Sequence, residues 1–172
     1  RHEKDLRSWS DKGGRTSYEV GMTDDEDWYP NQFLYLPGED EVEFRVAKVG
    51  ADRKVTLALA DDFRSSQHAV WGILARNREQ NFALNALMNP EMDFVSLVGQ
   101  AGTGKTLLAL AAGLQQTLEQ KTYSEIIITR VTVPLGEDIG FLPGTEEEKM
   151  NPWMGALEDN LDVLDQSDDE AG

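Results

Sequence analysis

The chain is 172 residues long, with 40% hydrophobic residues, 16 basic against 32 acidic side chains, and a formal net charge of −16. That length and composition allow one cored domain, or one domain and a small module, and the charge excludes a wholly basic nucleic-acid binder, leaving only a local patch for such a contact. The lack of cysteine excludes a disulfide framework and thiolate metal sites and suits the cytoplasm, and no apolar stretch approaches a membrane span.

Residues 1–27 are polar, with Gly13-Gly14 and the acidic run Asp24 to Asp27, and read as a poorly ordered linker. No signal peptide is visible, and a start at Arg1 fits a processed terminus or a part of something longer. A small β-rich module is expected over 28–64. Val42, Phe44 and Val46 alternate with Glu41, Glu43 and Arg45, and Val55, Leu57 and Leu59 alternate with Lys54, Thr56 and Ala58. With Val49 to Arg53 between them, the two runs predict a β-hairpin, and Gln32 to Leu36, before Pro37-Gly38, adds a third strand. A sheet this small needs a partner surface. Trp28, Tyr29, Phe33 and Tyr35 have the faces to stack on bases, but aromatics in a strand-rich stretch more often pack.

Residues 66–165 carry a different pattern. Asn77 to Met88 predicts a helix that stops before Asn89-Pro90. Within it, Gln80 has two readings that the residues leave open. A glutamine upstream of a phosphate loop can read the adenine edge, since its amide both donates and accepts. Asn77-Arg78-Glu79-Gln80 also fits a capping box, with Asn at the N-cap and Gln at the third helical position. Asp93 to Val98 is a short, mostly apolar run that reads as a buried parallel strand.

The run ends at Gly99-Gln100-Ala101-Gly102-Thr103-Gly104-Lys105-Thr106, which fits the phosphate-loop pattern G-x-x-x-x-G-K-[ST] without a mismatch. Glycines let successive backbone N–H groups point into one hollow that cradles a β-phosphate. Lys105 is placed to reach the β- and γ-phosphates as a point charge, and the Thr106 hydroxyl to be one ligand of Mg²⁺. Leu107 to Gln120, rich in Leu, Ala and Gln and free of proline, continues as a helix begun at Lys105 or Thr106. Strand, glycine loop and helix thus follow in the order that a phosphate-binding loop requires.

Glu125 to Arg130 predicts a second buried strand, with Arg130 at its carboxyl end, where ligands of such sheets bind. Arg130 is placed to face phosphate or a polynucleotide, or to pair with Glu137 or Asp138 at the surface. Val133 to Thr145 is a loop, in which Gly136 to Gly144 reads either as a connector or as an element over the site. Glu146-Glu147-Glu148 suits the first turn of a helix. Asn151-Pro152 starts a helix with Trp153, Leu157, Leu161 and Leu164 on one face. An acidic tail, 166–172, follows. Residues 66–136 carry five basic and five acidic side chains, whereas 137–172 carry one and twelve, so the acidity lies outside the loop region. His2 and His68 lack partners at metal-ligand spacing.

Several of these blocks resemble the PhoH-like family of P-loop ATPases. They are Val70 to Ile73, Arg76 to Leu84, Gly99 to Ala111, Thr129 to Pro134, Gly136 to Gly144 and Glu147 to Met154. The resemblance covers about Val70 to Leu164 and is similar to the longer, cytoplasmic type in which a PIN ribonuclease domain precedes the ATPase. It implies an α/β fold with a RecA-like parallel sheet, ATP and Mg²⁺ as ligands, and RNA-linked, helicase-like work. It also implies an adenine contact for Gln80 and functional roles for Arg130 and the Gly136–Gly144 loop. Two departures stand out. No PIN domain is evident, and no apolar strand ending in Asp or Glu follows Arg130 to hold Mg²⁺ and position water. The expectation is therefore the N-terminal part of an ATPase core that binds ATP with little turnover. The alternative is a non-catalytic or truncated interaction module. A homo-oligomer is left open.

Overall fold

The structure is a computed structural model that describes residues 7–10, 16–24, 26–37, 42–129 and 159–164. The chain divides into two units, 1–62 and 63–172.

The first unit is one five-stranded antiparallel sheet. Its strands are β1 (Arg7–Ser10), β2 (Thr16–Gly21), β3 (Phe33–Leu36), β4 (Val42–Val49) and β5 (Lys54–Leu59), in the order β1-β2-β5-β4-β3. The hairpin legible as alternation is β4–β5, with Phe44 opposite Leu59 and Val46 opposite Leu57. A bulge between Val46 and Lys48 shifts the register, so that Val49 rather than Lys48 comes to face Val55. Val20, Phe44, Val46, Val55 and Leu57 are buried together, and Tyr18 meets Phe44 edge to face at 5.4 Å.

The strands β1 and β2 correct the reading of 1–27 as a poorly ordered linker. Thr16, Tyr18 and Val20 alternate with Ser17 and Glu19, and β2 lies along β5 with Tyr18 opposite Leu57 and Val20 opposite Val55. The alternation is short and set in polar surroundings, so its apolar partners on β5 decide the outcome. The connection from β2 to β3 carries Met22 and Trp28 onto the core. It is fastened by Arg53, whose guanidinium donates to Thr23 O and Glu26 O and whose own carbonyl accepts from Met22 N at 2.9 Å. Trp28 thus behaves as a packing residue; on β3 it is Leu34 that packs on this core, while Phe33 and Tyr35 are half-buried and Tyr29 is exposed.

The second unit contains α1 (Arg78–Leu87) and α2 (Lys105–Leu114), the latter running on into a π-helical turn over Gln115–Glu119. Its core gathers Phe63, Val70, Ala75, Leu84, Leu108, Leu110, Ala111, Ala112 and Leu164. Leu164, with Leu161 beside it, comes from the helical residues 159–164. The Asn151-Pro152 start expected for that helix lies outside the described residues.

The expected parallel sheet is absent among the described residues. Neither 93–98 nor 125–129 is a strand, and Phe94, Val98 and Ile127 are 86, 94 and 76% exposed. A helix closes its hydrogen bonds within itself, but a parallel strand takes all of them from neighbours reached through long crossovers. No such neighbour stands beside either run among the described residues. What the second run does have is a helix to lie on: a methyl group on Gly113 would stand 3.2 Å from Ile126 Cδ1.

Leu84 is fully buried in the second unit. Leu84→Ala is expected to cost about 3 kcal/mol by transfer and cavity terms. Urea unfolding followed by the helical circular-dichroism signal measures it, and a loss under about 1 kcal/mol would contradict this core.

Candidate functional site

The site is built on the chain reversal that precedes α2. Gly102 and Gly104 both take the left-handed conformation, with φ of 77° and 82°. A residue with a Cβ pays about 1–2 kcal/mol there. The reversal lets residues 99–104 fold around the first turn of α2, whose N-cap is Gly104 itself. No side chain caps this end and no acidic residue occupies its first turn, so the positive end of the helix dipole meets no carboxylate of its own.

Lys105 occupies the inside of this loop. Its Nζ donates to Gly99 O at 3.0 Å, Gln100 O at 2.6 Å and Thr103 Oγ1 at 3.3 Å. The Thr103 hydroxyl donates in turn to Gln100 O at 2.9 Å. Three protons thus meet three oxygens of the loop. A Cβ on Gly102 would meet nothing within 4 Å, so the loop is open on that side. Gly99, Gln100, Ala101 and Thr106 are exposed, and Thr106 lies in the first turn of α2.

Gln80 reaches the same loop from α1. Asn77 caps that helix, its Oδ1 accepting from Gln80 N at 2.9 Å. The reciprocal half of a capping box would take Gln80 Oε1 to Asn77 N. Here Oε1 accepts from Arg76 N at 2.7 Å instead, and Nε2 donates to Thr103 O at 3.3 Å. So the backbone of Gln80 serves the cap while its side chain serves the loop. Arg130, the Gly136–Gly144 loop and Glu146–Glu148 lie outside the described residues.

Three amides that the sequence reading passed over hold the loop's supports in place. Asn81, fully buried, accepts Phe63 N at 2.8 Å. Gln115 accepts the backbone N of Trp71 at 2.8 Å. That fixes a tight turn in which Trp71 and Gly72 both have positive φ and Val70 and Ile73 exchange hydrogen bonds. Gln116 is buried and donates to Leu87 O at 3.2 Å, tying the far end of α2 to the end of α1. The signal that could have found them is polar amides at positions where the helix period calls for apolar ones.

Among the described residues no group of three or more His, Cys, Asp or Glu could hold a metal ion. No helix among them is long and apolar enough to cross a membrane.

A family model described as PhoH-like protein matches residues 72–170. The chain is 41% identical over 151 residues to "Protein PhoH2" of Bacillus subtilis (strain 168), covering 88% of this chain and 34% of that protein. It is 41% identical over 120 residues to "Protein PhoH2" of Mycolicibacterium smegmatis, covering 69% of this chain and 26% of the relative. A "PhoH-like protein" of Mycobacterium tuberculosis (strain ATCC 25618 / H37Rv) is 48% identical over 69 residues, 40% of this chain and 19% of the relative. The chain therefore spans about a third or less of the length of these curated relatives. No solved structure matches it.

Gly104→Ala puts a Cβ at φ of 82° and 3.3 Å from Gln80 Nε2. It should lower stability by about 1–2 kcal/mol, read as a fall in the urea midpoint; an unchanged midpoint would mean that this residue is not left-handed.

Proposed function

We propose, because the chain belongs to the PhoH-like protein family, that its glycine loop binds the phosphates of ATP. That family is generally one of ATP-binding P-loop proteins. The observation that carries the reading is the loop with Lys105 Nζ drawn inside it, at the uncapped N-terminus of α2. Backbone N–H groups at residues 99–106 and the helix dipole supply the anion's partners. Lys105 exchanges its carbonyl contacts for phosphate oxygens as the anion enters.

The fit to Mg²⁺ rests on donor chemistry. Thr106 offers an exposed hydroxyl one position after Lys105, which suits an ion that keeps several waters and takes few protein ligands. When bound, the ion supplies charge neutralisation between the β- and γ-phosphates. Gln80, held against Thr103 O at the loop's rim, is the residue we assign to the adenine edge. Arg130 is assigned to the phosphate or polynucleotide side by its position after the 125–129 run.

The wider reading is that residues 66–165 are the N-terminal part of a RecA-like ATPase domain. In the complete domain 93–98 and 125–130 are neighbouring strands of a parallel sheet, preceded by the β-rich unit. Two observations support it: both runs are apolar, and both are open at the surface where a sheet would continue. RNA-linked work in the cytoplasm, helicase-like and coupled to a PIN ribonuclease in longer relatives, is the function we infer for the whole protein, and self-association is compatible with it. ATP splitting belongs to that whole protein, because the acidic strand that would hold Mg²⁺ and orient water is not found after Arg130 in this sequence. A second reading, a binding module with no turnover, draws on the same exposed runs, which offer apolar surface to a partner.

Lys105→Ala in the full-length protein is expected to weaken ATP binding by about a hundredfold or more, since charge-assisted contacts are lost. Undiminished binding in a nucleotide titration would remove the phosphate site from this loop. The 172-residue chain should bind ATP and release phosphate no faster than a blank. Sustained turnover by it would show that a water-positioning acid exists within its own residues.

A further inference from the structure

Thr103 occupies one of the positions that the phosphate-loop pattern leaves open, yet more bonds of the loop meet there than at any other open position described. Its hydroxyl donates to Gln100 O at 2.9 Å and accepts from Lys105 Nζ at 3.3 Å. Its carbonyl accepts from Gln80 Nε2 at 3.3 Å. A hydroxyl that donates in one direction and accepts in another is polarised by both bonds, and each strengthens the other. Gly99 closes the ring from the far side, where a Cβ would stand 3.5 Å from Thr103 Oγ1.

We propose that Thr103 is a positioning residue that links Gln80 to Lys105, so that what happens at the Gln80 amide is felt at the lysine ammonium. This deepens the ATP-site reading and rests on it for its purpose: base side and phosphate side are joined through one residue. No hydrogen bond joins Gln80 to Lys105 directly. The path between them is the Gln80–Thr103 carbonyl bond, the short stretch of Thr103 itself, and the Thr103–Lys105 hydroxyl bond. When the Gln80 amide turns to another partner, Thr103 O is released, and the hydroxyl that orients Lys105 loses its fixed frame. The ammonium is then freer to leave the carbonyls of Gly99 and Gln100.

The test needs no nucleotide. Lysine side chains of the full chain are labelled with an amine-reactive ester, and the rate at each lysine is read by peptide mass spectrometry. Thr103→Val keeps the shape and removes the hydroxyl, so Lys105 should react about five-fold faster, the equivalent of one hydrogen bond lost. Thr103→Ser should restore the original rate. Gln80→Ala removes no hydrogen-bond partner of Lys105, yet it should also raise the Lys105 rate, by about two- to five-fold. The double variant should react no faster than Thr103→Val alone, because both act through one residue.

A Lys105 rate unmoved by Gln80→Ala, or equal in Thr103→Val and the parent, overturns the proposal. The urea midpoint of each variant, read by circular dichroism, is the reference for folding. If Thr103→Val lowers that midpoint, the variant has loosened the unit, and the Gln80→Ala and Thr103→Ser comparisons decide. Adding ATP and Mg²⁺ to the parent should protect Lys105. Failure of that protection would refute the nucleotide reading and leave the ligand-free comparison standing.

Discussion

Residues 63–129 are organised around the reversal at Gly102 and Gly104, where two left-handed residues in three positions turn the chain back before α2 begins. With β-carbons at both places the reversal would cost about 2–4 kcal/mol by the single-residue penalty, a large part of a small unit's stability. Because the turn is made by glycine, the first residue of α2 is Lys105, and its side chain folds back to three oxygens of the loop just formed. The same turn fixes the direction of α2. That direction brings Gln115 to the Trp71 turn and Gln116 to the end of α1 at the other end of the helix.

Side-chain amides do in this unit what strand ladders do in the first. Gln80 joins α1 to the loop, Asn81 joins α1 to Phe63, Gln115 joins α2 to Trp71, and Gln116 joins α2 to α1. An amide can donate and accept at once, so one residue satisfies two elements. A buried polar group left unmade costs about 1–3 kcal/mol, which makes such ties specific as well as cohesive. The π-helical turn belongs to the same arrangement. It widens the end of α2 over Gln115–Glu119, where Gln116 turns inward and its carbonyl accepts Thr122 N at 2.8 Å. Loop, helix and turn are therefore held at both ends of α2 rather than by the helix's apolar face alone.

What could be read from the sequence follows from how local its cause is. The β4–β5 hairpin was legible because alternation with period two is written in consecutive residues, and α1 because Asn77 and Asn89-Pro90 mark its ends. The loop was legible because glycine, lysine and threonine at fixed spacing leave little choice of backbone. The bulge after Val46 was not, since it depends on which residue of β5 lies opposite. Nor was β2, whose pairing rests on β5 some forty residues later, nor β1, which pairs with β2. At the site, a capping box and an adenine contact were the two readings of Gln80; its backbone N lies on Asn77 Oδ1, while its side chain takes Arg76 N and Thr103 O rather than the Asn77 N of a full capping box. The side-chain role of Thr103 had no sequence signal, because the motif is indifferent at that position.

The runs 93–98 and 125–129 pose the remaining physical problem. Phe94 and Val98 stand almost wholly in solvent on the segment that leads directly into Gly99. Burying either side chain is worth about 1.5–3 kcal/mol, and neither gains it here. The phosphate loop is thus anchored on one side by α2 and bounded on the other by a segment that has no ladder. A cradle of backbone N–H groups binds an anion well only when those groups are already fixed in place, because ordering them on binding subtracts from affinity. Whatever covers Phe94 and Val98 therefore fixes the entry to the loop as well, and its free energy adds to that of the phosphate contacts through linkage. On the proposed reading of the loop, the strength of nucleotide binding at Lys105 is set partly by the apolar contacts of Phe94 and Val98, just before Gly99 in the chain.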